Sequence, residues 1–176
     1  MALSFSMLAS QLLVDRESVV RALSWPLLVW EARPSDVTAS LGYDDSTESG
    51  HRARRPTTAE PLLLEVRKRP LGTGADITVG RMPGNDIVLE DVTVSRTHAG
   101  LRREPITGGW SVLDMGSHNG TFLDGVLIVP GRSMPLMDRS RVRFGDVEVT
   151  FFQPTGFEQY VRSRAARLPV RLTRVG

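Results

Sequence analysis

From Leu62 onward, apolar side chains recur at every second position in short runs: "LLLEVRK", "DITVG", "NDIVL", "HAGLRR", "GWSVLD", "TFL", "VLI", "RVRF" and "VEVTFF", separated by Gly, Asn, Asp and Pro. A period of two is that of a strand with one buried face, and β-branched and aromatic residues fill these runs. Two connections have the chemistry of tight hairpins. Asp124-Gly125 suits a type I′ turn between "TFL" and "VLI", and Gly145-Asp146 suits another primed turn between "RVRF" and "VEVTFF". Nothing between the runs reads as helix, so the pattern predicts an all-β sandwich or barrel over 62–153.

On either side the period changes. Asp15 can cap a helix that carries Val19, Val20 and Leu23 along one side and ends near Pro26, after which comes the short apolar run "PLLVWEA". Residues 1–31 are expected to form a helical, apolar appendage packed on the main domain; the alternative is a docking element that uses Trp25 and Trp30 as anchors. Residues 32–61 hold few large apolar side chains and many Ser, Thr, Pro and charged ones, which predicts a disordered linker. Beyond Phe152, Thr155 and Glu158 stand at capping-box spacing ahead of "FEQYVRSRAARL", so 154–176 reads as a helix with an Arg-rich tail.

Charge adds most when divided along the chain. Residues 1–61 carry six Arg and eight Asp/Glu, residues 62–153 eleven basic and eleven acidic, and residues 154–176 five Arg and one Glu. The basic pI of about 9.6 therefore comes from the tail, and a neutral central domain lacks the basic face that nucleic acid requires. There is no cysteine, which excludes disulfides and thiolate metal sites. No apolar run approaches the ~20 residues of a membrane helix, and the N-terminal stretch lacks the charged start of a secretory signal. No membrane partner and a cytoplasmic location are expected. Arg outnumbers the single Lys so heavily that the composition fits a GC-rich bacterial genome.

The candidate chemistry lies in "VTVSRTHAGL", where Ser95 and His98 are three residues apart. A hydrolase could be built from Ser95, His98 and Asp114, but there is no G-x-S-x-G turn and no alternation of strands with helices. His51, His98 and His118 lie too far apart in sequence for a metal motif. No catalytic residue, cofactor or metal is therefore expected. Three Gly-rich loops hold polar residues that the period does not explain: Arg81 in the first, Ser95 and Arg96 in the second, His118 and Asn119 in the third. Two permanent guanidinium charges, a hydroxyl and an amide suit a phosphate dianion, since the planar Arg fork matches phosphate oxygens.

Taken in order, "GR" at 80–81, "NDIVL" at 85–89, "VSRTHA" at 94–99 and "DMGSHNGTFLDG" at 114–125 resemble the forkhead-associated (FHA) domain family, over about Leu62 to Phe152. The overall pattern is similar to a bacterial-type single-FHA protein. The resemblance implies a sandwich of two twisted, antiparallel-dominated sheets, here with short helical extensions, and binding of phosphothreonine in a partner protein rather than catalysis. It assigns phosphate oxygens to Arg81 and Ser95, rim charge to Arg96, and the peptide backbone to Asn119. His98 becomes a buried brace of the binding loops, with Gly80 and Gly120 as supporting scaffold. His118 stands where Ser or Thr is frequent, which would make binding pH dependent, and Thr93 stands where relatives carry a residue that selects a peptide side chain.

The resemblance implies an adaptor in Ser/Thr-kinase signalling, whose partner is a kinase or a kinase substrate. A phosphate-independent scaffold that uses the sandwich and the N-terminal Trp segment is the alternative. Thr47, Thr57 and Thr58 lie in the linker, and phosphorylated Thr47 is a candidate for intramolecular binding.

Overall fold

The computed structural model of the protein describes residues 5–15, 17, 23–32, 56, 60–70, 72 and 74–165. Thr47, Thr57, Thr58, His51, most of the expected linker, most of the helix expected after Asp15 and the Arg tail beyond 165 lie outside the described residues.

Among the described residues, eleven strands form two sheets. The first is ordered β2 (Leu62–Glu65), β1 (Leu27–Trp30), β11 (Val147–Phe152), β10 (Arg141–Phe144), β7 (Thr121–Leu123) and β8 (Val126–Leu127), with antiparallel pairing throughout. The second is ordered β4 (Ile87–Val88), β3 (Ile77–Gly80), β5 (Ala99–Arg103), β6 (Trp110–Asp114) and β9 (Ser133–Leu136), with β3 and β4 parallel. This is the expected all-β sandwich. Its core follows the period of two: Val142 and Phe144 from β10, Val147, Val149 and Phe151 from β11, Val112 from β6 and Val79 from β3 all point between the sheets. Both hairpins have the expected geometry, with φ of 49° and 86° at Asp124 and Gly125 and 58° at Gly145.

One strand comes from outside the expected limits. Leu27–Trp30, expected within the appendage, lies between β2 and β11, with Leu27 opposite Phe152 and Trp30 opposite Leu62. All four residues are buried. Leu28 and Trp30 enter the sandwich core, while Leu27 and Val29 face a second cluster on the outside of the sheet. Burial on both faces explains why this run is continuously apolar instead of alternating. Trp30, proposed as an alternative docking anchor, is a core residue.

The second cluster joins the sheet to two helices, α1 (Phe5–Val14) and α2 (Pro154–Ala165). Phe5 and Leu8 of α1 and Phe157 and Val161 of α2 pack over Leu27, Val29, Leu63 and Phe152. The rings of Phe152 and Tyr160 lie 4.9 Å apart, and Tyr160 donates to Glu31 at 2.7 Å. α2 begins one residue before the expected cap. Pro154 opens it with its fixed φ, so Thr155 falls inside the first turn instead of capping it. The carboxylate at this end belongs to Asp138, which accepts the Gln153 N–H at 2.8 Å and occupies the space where a Cβ on Gly156 would sit. α1 precedes the helix expected from Asp15, and the Asp15 N–H closes it by donating to Gln11. No helix among the described residues is long and apolar enough to cross a membrane.

Candidate functional site

Three loops meet at one end of the sandwich, after β3, between β4 and β5, and between β6 and β7, with the β10–β11 turn beneath them. Backbone pairing stitches the first two together: Arg81 N–H donates to Ser95 O at 3.0 Å and His98 N–H to Val79 O at 2.8 Å. This close approach is why Gly80 has no side chain, since a Cβ there would lie 2.3 Å from the Arg96 carbonyl oxygen. Asn85, 3% exposed, completes the junction by donating from Nδ2 to Met82 O at 2.8 Å and to Arg96 O at 2.7 Å.

His98 braces the second and third loops. Its ring is fully buried against Phe144, edge to face at 5.7 Å. Nδ1 accepts the Ser95 N–H at 3.0 Å, and Nε2 lies 3.1 Å from the Gly120 carbonyl oxygen. An acceptor at one nitrogen and a donor at the other define the neutral ring protonated on Nε2. Burial pushes its pKa below the usual histidine value, opposed by the Gly120 carbonyl and the Asp114 charge. Gly120, at φ 78°, also accepts the Gly145 N–H at 3.1 Å, which ties the β10–β11 turn to the same point.

Asp114 organises the third loop from below. Its Oδ1 accepts the Gly116 and Ser117 N–H groups, each at 2.9 Å, and its Oδ2 accepts the Ser117 and Thr121 hydroxyls at 2.5 and 2.6 Å. Burial would raise its carboxyl pKa, but these bonds together hold it below the ordinary range. The geometry does not assemble a hydrolytic relay. His98 bonds the backbone nitrogen of Ser95 rather than its hydroxyl, and the Asp114 oxygens are engaged by Gly116, Ser117 and Thr121.

Above these braces lies an open cleft of about 780 Å³ lined by Arg81, Thr93, Ser95, Arg96, His118 and Asn119, among others. Six positions singled out from sequence therefore share one cavity. Ser95 Oγ accepts the His118 N–H at 3.0 Å and keeps its own proton to donate. Asn119 Nδ2 donates to Thr93 O at 2.8 Å, which leaves its amide oxygen and second N–H for a ligand. Arg81 and Arg96 are exposed, and neither guanidinium has an acidic partner among the described residues. Asp86, a natural candidate to neutralise Arg81, is instead bound to Lys68 at 2.9 Å. The Thr93 hydroxyl donates to Asp91 at 2.6 Å and accepts the Asp146 N–H at 3.0 Å, so its polar end braces the rim. Asn85 and the bracing role of Asp114 were not foreseen, and the only signal for either is a polar residue beside a strand end.

The FHA domain profile matches residues 77–145. The oxoglutarate dehydrogenase inhibitor of Corynebacterium diphtheriae is 35% identical over 119 residues, covering 64% of this chain and 78% of the inhibitor. This chain belongs to the FHA domain family. The glycogen accumulation regulator GarA of Mycobacterium tuberculosis is 35% identical over 122 residues, covering 66% of this chain and 70% of GarA. The oxoglutarate dehydrogenase inhibitor of Corynebacterium glutamicum is 51% identical over 97 residues, covering 51% of this chain and 66% of the inhibitor. The matched FHA span runs from the start of β3 to the β10–β11 turn and contains every loop of the cleft; β1, β2 and both helices lie outside it.

Proposed function

We propose that this FHA protein is a phosphothreonine-binding adaptor in cytoplasmic Ser/Thr-kinase signalling, and not an enzyme. The observation that carries this reading is the pair of unneutralised guanidiniums, Arg81 and Arg96, on one cleft with the Ser95 hydroxyl and the Asn119 amide. Two fixed positive charges match a phosphate dianion, and the Ser95 O–H adds a donor. Asn119 would hold the peptide backbone, with His118 at the rim. The braces beneath preorganise these donors, so little ordering is left to pay on binding. The names of the relatives, an inhibitor and a regulator, agree with a role in controlling other proteins. The docking role once open to Trp30 is weakened by its burial.

The partner is a kinase or a kinase substrate bearing phosphothreonine. The test is calorimetric titration with one peptide in phosphothreonine, phosphoserine and unmodified forms. The phosphothreonine form is expected to bind, the unmodified form not to, and phosphoserine to bind roughly 10- to 200-fold more weakly if the threonine methyl is packed. Arg81→Ala should weaken binding by about 30-fold or more while the unfolding midpoint stays put, because the side chain supports no other described contact. Equal binding of all three peptides would remove this reading.

A further inference from the structure

Among the described residues the two sheets end in four edge strands, β2, β8, β4 and β9, and three of them are guarded. β2 carries Glu65, ion-paired to Arg67 at 2.7 Å, and just ahead of it the Glu60 carboxylate accepts the Ser6 N–H of α1 at 3.2 Å. Glu90 and Asp91 follow β4 closely, and Pro135 removes an N–H from β9. Charge, cover and proline are the ordinary means by which an edge is kept from pairing with another chain. β8 itself has none of them. No charged residue stands between Asp124 and Arg132, and Val126, Leu127 and Val129 are 63%, 57% and 61% exposed.

The register says which backbone groups of β8 are left over. Leu123 faces Val126 across the Asp124-Gly125 turn, Phe122 faces Leu127, and the Ile128 N–H donates to Thr121 O at 2.9 Å. Hydrogen-bonded and non-hydrogen-bonded pairs alternate along an antiparallel ladder, so Val126 and Ile128 turn their N–H and C=O groups toward β7 and Leu127 turns both of its own outward. Neither group meets a partner among the described residues. Leu123 points into the sandwich core, so Phe122 and the Leu127 opposite it share the outer face. The Phe122 ring there carries the Arg143 guanidinium of β10 at 3.7 Å.

We infer that β8 is a homodimer contact, in which β8 of a second copy pairs antiparallel to it about a two-fold axis at Leu127. A second copy fits this edge because the axis sets Leu127 opposite its own equivalent, where the outward N–H and C=O of each exchange two hydrogen bonds. The apolar surface then runs unbroken from Phe122 and Leu127 to the same residues of the other copy. No like charges meet at the axis, and such charges are what ordinarily block self-pairing. The contact is small. Two residues of strand and three exposed side chains fall short of the ~800 Å² per partner of a standard interface, so the dimer forms only at high protein concentration. Antiparallel pairing also sends the two phosphate clefts to opposite ends of the joined sheet, so the dimer bridges separate phosphorylated molecules. That consequence rests on the phosphothreonine reading, and the dimer does not.

The test is sedimentation equilibrium of the full-length protein over a concentration series from roughly 10 μM to 1 mM. The mean mass should rise from the 19.4 kDa monomer toward twice that value. Leu127→Lys sets a charge against its own copy at the axis and should stay monomeric throughout, with a melting midpoint close to wild type because the side chain is exposed. Ile106→Lys, at a 92% exposed residue of the β5–β6 connection, should dimerise as wild type does. A wild-type protein that remains monomeric at the top of the series overturns the proposal, as does a dimer that survives Leu127→Lys. Loss of the dimer in both lysine variants overturns it too, since the cause would then be added charge and not this edge. At low concentration all three proteins should bind a phosphothreonine peptide equally, because neither residue lines the cleft. Absence of that binding in all three would remove the phosphothreonine reading and leave the dimer standing.

Discussion

Among single side chains, His98 carries the clearest dependence on solution conditions. Its folded pKa is lowered, chiefly by burial, so the unfolded chain binds the proton more readily. The stabilisation from the neutral ring is then complete above the unfolded value of about 6.5 and is lost as the pH falls through the folded value. Urea unfolding at pH 7.5 and 5.0 should show a larger loss for wild type than for His98→Asn, which lacks this titration. An equal loss in both would show that the ring does not control acid stability. At pH 7.5 the variant should itself be about 1–3 kcal/mol less stable, since buried partners on two loops go unmet. The cleft-lining residues were legible because the period of two had no use for them: Arg81, Ser95, Arg96, His118 and Asn119 are polar groups in loops between apolar strands. Asn85 and Asp114 were not: Asn85 bonds the Arg96 carbonyl of another loop, which nothing local in the chain records, and Asp114 is spent inside its own loop on Gly116, Ser117 and Thr121, so neither reaches a ligand.

Among the elements, β1 shows where pattern reading fails. Alternation marks a strand with one wet face, and β1 has none, because helices cover the outside of the sheet at that point. Its partner β2 is also separated from it by residues 31–61, so neither period nor proximity announced the pair. β9 was missed for a different reason: it is an edge strand, mostly exposed, with Pro135 inside it. The position of β1 makes truncation informative. Removing residues 1–26 strips Phe5, Leu8 and Leu23 from the outer cluster but keeps the sheet, so a cooperative thermal transition should remain at a lower midpoint. Removing residues 1–31 takes a strand from between two others, and the circular dichroism melt should lose its cooperative step. Asp138→Ala should cost about 0.5–2 kcal/mol by leaving the start of α2 without its carboxylate, read as a shift in the same melt.

At the scale of the whole molecule, recognition and the outer cluster are kept apart. The cleft sits on loops at one end of the sandwich, while α1 and α2 cover the outer face of β1, β2 and β11. Phe157 is fully buried in that cover, so Phe157→Ala should cost about 3–5 kcal/mol by the cavity it leaves. The protein that remains folded should nonetheless bind a phosphothreonine peptide as wild type does, measured by titration well below the melting point. A large loss of affinity would show that the cover reaches the cleft. The double variant with Arg81→Ala should show the two effects adding, as expected for sites with no shared partner.

Because Trp30 pairs with Leu62, residues 31–61 are the covalent link between two adjacent antiparallel strands. Doubling such a loop costs only about 0.6 kcal/mol. Cutting it should turn one chain into a two-part assembly whose halves are held by β1 wedged between β2 and β11. With a specific protease site inserted after Gly42, the cleaved protein should elute as a single species and bind ligand at high concentration. On dilution it should fall apart, since the tether's effective concentration of roughly millimolar would be gone. The chain is in this sense a split receptor, whose cleft depends on an N-terminal segment that supplies none of the residues lining it.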